Sequence, residues 1–345
     1  MSESSPPRSG RSLDVGTTRI IAGRWATGPS GVRPAFRAAR NAFLDLRHTE
    51  MARRMLERLR IPFVEMDGRL CVMGDEAFGL ANVLERDTRR PMSDGVISPR
   101  EGEALGVIRR LAERLMGPPA APGEPCTFSV PADPIDGETD VLYQRGSVER
   151  ILRGLGYAPH ALREGLAVVY AELADEGYTG VGISCGGGMF NVCLAYKGVE
   201  ALSFSTVRGG DWIDQRAAQA LGMTPAAVCA VKEGGFDLRA PRGRVEEALA
   251  LYTRHLVRWT LEALARKFES RDVLPAFGRP VPMVLAGGMA RAPGFAPLFV
   301  DELRSIRLPL AVSRLGISRQ PITSAARGCL LMGEATAAGV EERAA

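Results

Sequence analysis

The chain has 345 residues, 46% hydrophobic and 24% charged, which excludes wholesale disorder and exceeds one ordinary core, so two lobes are expected. Its net charge of +4 comes from interleaved Lys, Arg, Asp and Glu with no long basic block, so no nucleic-acid partner is implied; a patch of surplus arginine assembled in three dimensions is the alternative. Six cysteines without CxxC spacing and only three histidines argue against zinc, and with no secretory signal or membrane-length apolar run the expected location is a reduced cytoplasm.

Met1–Arg11 is rich in Ser, Pro and Arg, lacks an apolar face and reads as a loose tail. Ser12–Ile21, S-L-D-V-G-T-T-R-I-I, is apolar at both ends around a small-residue turn, the pattern of strand, tight turn and strand. A Gly/Pro loop and a strand over Ala35–Phe43 follow. Met51–Arg60 sets Met51, Met55 and Leu59 at helical spacing opposite arginines. Phe63–Met66 and Leu70–Met73 flank Asp67-Gly68, a hairpin signal. Beyond the loop P-M-S-D-G-V-I, Ser98, Pro99 and Glu101 supply a helix start for Leu105, Ile108, Leu111, Ala112 and Leu115, with Gly117 as the stop. Cys126–Val130 reads as a short strand, Ser147 as the cap of a helix through Leu155, and Leu162–Leu173 as a further helix.

Gly180–Lys197, G-V-G-I-S-C-G-G-G-M-F-N-V-C-L-A-Y-K, repeats the layout of the first hairpin, with Ser184 in the place of Asp14 and Gly186 in that of Gly16. Three glycines let backbone N–H groups approach and point at a ligand, and a concave row of N–H groups is an anion site. Either stretch alone also reads as an ordinary hairpin. Two of them half a chain apart imply two similar lobes facing each other across a cleft. Ala201–Val207 adds a strand, R-G-G-D-W-I-D turns into a helix, and Thr224-Pro225 opens another that reaches Lys232-Glu233. Val245–Phe268 is the longest helix, with its Trp and Tyr reading as core. Pro282–Ala286 feeds G-G-M-A-R-A-P-G and a helix from Phe295, a second place where backbone can press on a nucleotide. Pro321–Arg327 leads to a small-residue helix, Gly328–Ala338.

These motifs, taken together, resemble the actin-like ATPase superfamily, closest to the bacterial MreB-type actins with touches of the DnaK-type chaperones. L-D-V-G-T-T (13–18) looks like its first phosphate loop and S-C-G-G-G-M-F-N-V (184–192) like its second. P-M-S-D-G-V-I (91–97) and P-I-T-S-A-A-R-G (321–328) resemble its connecting segments, and S-T-V-R-G-G-D-W-I-D (205–214) the stretch after the second loop. L-A-G-G-M-A-R-A-P-G-F (285–295) resembles the adenosine motif, so the likeness runs from about Leu13 to Glu334. The resemblance implies an α/β, two-lobed actin-like ATPase fold, each lobe a mixed sheet flanked by helices, with a nucleotide cleft between. A tail at 1–12 would precede lobe I, residues 13–178 plus 322–338 with a small insert at 33–90. Lobe II would be 179–321, with its own insert at 217–268.

It also implies a site. Backbone at Gly16, Thr17 and Thr18 and at Gly186, Gly187 and Gly188 would cradle the phosphates of ATP or ADP, and Asp14 would hold Mg²⁺ through water, unless it only closes an Asx-type turn. Glu164 falls where the family carries the acid that orients the attacking water, although the surrounding E-P-x-A-A pattern is altered and a solvated helix-end carboxylate is the alternative. Lys232 and Glu233 would reach the ribose or adenine, Gly287 and Gly288 the nucleotide, and Arg291 the base. Asp211 would support the cleft or cap a helix. Two residues depart from the pattern: Ser184 stands where an acid begins the second loop, and Met189 where a threonine follows the glycines. Losing one preorganised electrostatic group typically costs on the order of 10²–10³ in rate, so slow hydrolysis, or binding without hydrolysis, is expected. The implied function is an ATP-binding cytoskeletal protein that self-associates into filaments. A non-polymerising chaperone-like or scaffold pseudo-ATPase is the alternative, and a small-metabolite kinase, lacking a convincing catalytic Asp, a distant third. Little supports membrane contact: the tail is polar and Ala77–Leu84 is a poor apolar substitute.

Overall fold

The computed structural model describes residues 10–29, 31–84, 86–269 and 277–344. The first lobe starts as an antiparallel meander of β1 (Arg11–Val15), β2 (Arg19–Gly28) and β3 (Gly31–Arg40). A small subdomain follows, built from β4 (Phe43–Arg47), α1 (Glu50–Arg58), β5 (Phe63–Met66), β6 (Arg69–Met73) and α2 (Asp75–Val83) around Leu44, Leu56, Leu70 and Val72. The hairpin of β7 (Met92–Ser93) and β8 (Val96–Ile97) leads to α3 (Ala104–Met116), β9 (Glu124–Val130), α4 (Val141–Gly154), β10 (Tyr157–Arg163) and α5 (Glu164–Glu172). The second lobe opens with its own meander, β11 (Gly180–Cys185), β12 (Phe190–Tyr196) and β13 (Val199–Thr206). Then come α6 (Gly210–Leu221), α7 (Pro225–Gly234), α8 (Arg244–Glu269), β14 (Val281–Ala286), α9 (Phe295–Ser305), β15 (Val312–Ile317) and α10 (Ser324–Ala344).

The two main sheets are topological copies. Their orders are β10-β9-β1-β2-β3 and β13-β12-β11-β14-β15. In each, an antiparallel meander is extended by two parallel strands on the far side of its first strand. Because the copies match, the first turn of each meander, β1–β2 and β11–β12, leaves its sheet at the same place. Helices α6, α7 and α8 share one core with β11–β14, formed by Phe190, Phe204, Leu256 and Phe295 among others. Helices α5 and α10 run between the lobes and cross so closely that a Cβ on Gly328 would lie 1.8 Å from the Ala167 carbonyl oxygen. Only glycine permits that approach.

Several elements differ from the sequence expectation, each for a local reason. Strand β1 begins at Arg11, inside the expected tail, because Glu124 holds the Arg11 guanidinium at 3.0 Å; residues 1–9 of that tail lie outside the described residues. The strand expected over Ala35–Phe43 breaks at Asn41. Helix α1 buries Leu56 and leaves Met51 84% exposed and Leu59 56% exposed, since a strict four-residue spacing drifts about 40° per step around a 3.6-residue helix. Helix α3 starts at Ala104, not after Ser98, because the carboxylates of Glu101 and Glu103 are drawn to Arg89 and do not cap. Asp140, not Ser147, caps α4, accepting from the Tyr143 N–H at 2.7 Å, and Ser147 is buried mid-helix. Residues 157–163 form β10 ahead of α5; as an edge strand it tolerates Pro159, which had masked it. Strand β15, unanticipated, is also an edge and largely open to solvent, so it carries no buried alternation.

Candidate functional site

The β1–β2 and β11–β12 turns meet face to face, and each is closed by the same bond. Gly16 N–H donates to Arg19 C=O and Gly186 N–H to Met189 C=O, both at 2.9 Å. A Cβ on Gly187 would lie 2.6 Å from Thr18 Cγ2, and one on Gly188 2.2 Å from Thr17 Oγ1 and 2.4 Å from Gly95 N. These two glycines therefore serve a close approach of lobe to lobe as well as exposure of their own backbone. Among the described residues, the N–H groups of Thr17, Thr18, Gly187 and Gly188 meet no protein acceptor. Thr17 and Gly188 are buried, Gly187 is half-buried and Thr18 exposed. Buried N–H groups in folded proteins are nearly always paired, so open donors at the two buried positions point to an anionic ligand.

A cavity of about 120 Å³ lies at this contact. It brings together Asp14, Gly16, Thr17 and Thr18 from the first lobe, Ser184 and Gly186, Gly187 and Gly188 from the second, and Glu164, Gly287 and Gly288. Glu164 opens α5 and faces this cavity, not bulk solvent. Its Oε1 accepts from Ser184 Oγ at 2.6 Å and its Oε2 from Asn191 Nδ2 at 2.8 Å. Asn191 is fixed in turn, its Oδ1 accepting from Ala132 N–H at 3.0 Å. Asp14 accepts from Ser129 Oγ at 2.5 Å, a tertiary bond and not an Asx turn.

Burial, reinforced by the charge of Asp14 and opposed by the Ser184 hydroxyl, pushes the Glu164 carboxyl up to about 8. Burial likewise pushes Asp14 up to about 6 against the Ser129 bond. Two carboxyls that resist ionisation in one cavity gain from a cation. Mg²⁺ fits this donor set, because it keeps several waters and uses one or two carboxylates together with substrate phosphates. No cluster of three or more His, Cys, Asp or Glu side chains suited to a metal occurs among the described residues.

The other four expected site residues do not line the cavity. Asp211, in the first turn of α6, donates its N–H to Gly187 C=O at 2.8 Å and pairs its carboxylate with Arg90 at 2.9 Å. Lys232 Nζ is engaged by Asp214 Oδ2 at 2.5 Å and by Gly210 C=O at 3.0 Å. Glu233 lies 3.8 Å from Arg40, and Arg291 is exposed at the end of a short 3-10 turn, Met289–Arg291. Arg90–Asp211 and Arg40–Glu233 are ion pairs between the lobes.

Four residues that support the cavity were not foreseen. Asn41 is 1% exposed; its side-chain amide donates to Gly16 C=O at 2.9 Å and its N–H to Thr18 C=O at 3.0 Å, bracing the first turn. Gly95, at φ +80°, has the Met189 side chain filling the space a Cβ would need. Ser129 and Asn191 hold the carboxylates. Of these only Gly95 had a sequence signal, the D-G turn.

The sequence profile of the Volactin family matches residues 10–333. Among solved structures, the chain is similar to a MamK double helical filament, with 19% identity, 94% of this chain and 98% of that chain covered and a TM-score of 0.71. It is similar to MreB 5 of Spiroplasma citri bound to AMPPNP, with 15% identity, 98% and 99% covered and a TM-score of 0.68. It is also similar to the ethanolamine utilization protein EutJ from Carboxydothermus hydrogenoformans, with 15% identity, 95% and 91% covered and a TM-score of 0.54. No curated protein sequence matches it significantly. At these identities what is shared is the fold. Duplicated sheets, opposed glycine turns and a profile match across nearly the whole sequence agree: the chain belongs to the Volactin family and has the actin-like ATPase fold.

Proposed function

We propose that this chain is a cytoplasmic, actin-like cytoskeletal protein that binds ATP or ADP with Mg²⁺ between its lobes, hydrolyses ATP slowly and assembles into filaments. The observation that carries the reading is the pair of interlocked glycine turns with four free N–H donors above two carboxyls that resist ionisation. The N–H groups suit phosphate oxygens, and Asp14 and Glu164 would hold the Mg²⁺, which when bound neutralises phosphate charge. Glu164, steadied by Ser184 and Asn191, is placed to orient water. Its high proton affinity keeps it mostly protonated near neutral pH, unable to take a proton from water until a cation displaces the one it holds, and Ser184 adds no negative charge. Both features favour slow turnover. The likeness to MamK, whose structure is that of a double helical filament, supports assembly.

The scaffold reading has one observation in its favour: the lobes are already joined by the turn contact and by several ion pairs, Arg90–Asp211, Arg40–Glu233, Arg208–Asp136, Arg163–Glu200 and Arg314–Glu176 among them. Pelleting and electron microscopy with Mg-ATP, Mg-ADP and no nucleotide, with phosphate release followed in parallel, separate the two. Nucleotide-dependent filaments support the cytoskeletal function. Nucleotide binding without filaments under any condition supports the scaffold.

A further inference from the structure

The first lobe carries a second pocket, on the opposite face of its sheet from the nucleotide cleft. Asp14 and Ile21 are cross-strand partners on the cleft face, whereas Leu13, Ala22 and Arg37 align on the other. On that second face Arg11 stands directly opposite Arg24, and Arg37 opposite Ala22. A pocket of about 70 Å³ lies among these three arginines, with Ala22 and Ala35 leaving the space and Leu115 and Met116 of α3 forming its apolar floor. Like charges directly opposite on a sheet are destabilising, so a compensating charge would stabilise the arrangement, although Arg24 and Arg37 are themselves exposed. Glu124 supplies one, but its two oxygens are taken by Arg11 at 3.0 Å and by Ala120 N–H at 2.7 Å. Among the described residues no carboxylate lies within ion-pair distance of Arg24 or Arg37. The C-terminal end of α3 contributes a partial negative charge, worth about half a unit, which leaves most of the excess uncancelled.

We propose that this pocket binds a phosphate group between Arg24 and Arg37. Arg24 and Arg37 are exposed side chains that line this space, and each guanidinium can offer paired N–H donors, the mode in which arginine recognises phosphate best. The site is independent of the nucleotide reading, since it shares no lining residue with the cleft.

The test is a titration of the full-length protein, saturated with Mg-ADP, with inorganic phosphate against chloride at constant ionic strength, read as the thermal unfolding midpoint. Wild type is expected to show a saturable rise that R24Q/R37Q loses, while Mg-ADP affinity stays within twofold. R24K/R37K, which keeps charge but not the forks, should retain less than half of the rise; it also guards against a misfolded Gln variant. Crystals soaked in tungstate should show heavy-atom density between the two arginines. Cosedimentation with phosphatidylglycerol vesicles identifies the source of the phosphate. Arginine-dependent vesicle binding without a free-phosphate response assigns a lipid headgroup, and the reverse assigns free phosphate. A phosphate response unchanged in R24Q/R37Q, or no response of wild type to phosphate or vesicles, overturns the proposal.

Discussion

The Glu164 carboxyl makes stability depend on pH in a direction opposite to that of an ordinary surface acid. From an ordinary 4.5 it is pushed up to about 8, so across that window the folded chain holds a proton that the unfolded chain has released. Fewer protons on the unfolded state mean that stability falls as pH rises, by at most about 1.4 kcal/mol per pH unit, and levels off above the folded value. Between pH 5.5 and 8 the loss would be about 3 kcal/mol, reduced to roughly 1–2 kcal/mol by water at the cavity wall. Glu164→Gln removes this slope without orphaning its neighbours. The amide oxygen can accept from Asn191 Nδ2 while the amide nitrogen donates to Ser184 Oγ, a hydroxyl that accepts as readily as it donates. Urea unfolding of nucleotide-free protein at pH 5.5 and 8 should therefore find the variant gaining on wild type by roughly 1–2 kcal/mol at the higher pH. Parallel pH profiles would refute the high proton affinity assigned to Glu164.

Three further outcomes follow from the same geometry. Ser184→Asp would set a third carboxylate beside Glu164 and Asp14, so nucleotide-free protein should lose roughly 1–3 kcal/mol above pH 7, recovered with Mg²⁺ and nucleotide; stability unchanged by either would refute the charge argument. Binding of preformed Mg-ADP at pH 7 should release about one proton, since a carboxyl titrating near 8 is then mostly protonated and a cation displaces that proton; calorimetry in buffers of different ionisation enthalpy measures it, and none released would contradict cation contact with Glu164. Gly328→Ala should destabilise by about 3 kcal/mol or more, because its Cβ would fall 1.8 Å from Ala167 oxygen at the α5–α10 crossing; denaturant unfolding within 1 kcal/mol of wild type would show that the crossing is looser.

What the sequence disclosed is largely what repeats in it. The echo of L-D-V-G-T-T in S-C-G-G-G-M predicts two lobes and a cleft, and the matched sheet orders display that duplication strand for strand. Elements with buried alternation or sharp turn chemistry, such as β5–β6 around Asp67-Gly68 or α7 after Thr224, are placed within a residue or so. Edge strands β10 and β15 were illegible, because an edge needs neither continuous burial nor an unbroken ladder and admits Pro159. At the cleft, the glycines announce themselves by local pattern. Asn41, Ser129 and Asn191 do not, since each acts on a group 25 or more residues away in sequence, and no local spacing encodes such a contact. Likewise nothing near Lys232 indicates that Asp214 already engages it.

The central claim, that the two glycine turns jointly hold a nucleotide, is tested most directly by equilibrium binding of Mg-ADP to wild type and to Gly188→Ala. A Cβ at 188 would meet Thr17 Oγ1 at 2.2 Å and Gly95 N at 2.4 Å, forcing the turns apart without removing a side-chain ligand. One nucleotide per wild-type chain is predicted, with affinity lowered tenfold or more in a variant that remains folded. A wild-type chain that binds no nucleotide, or a variant that binds as tightly as wild type, would contradict it.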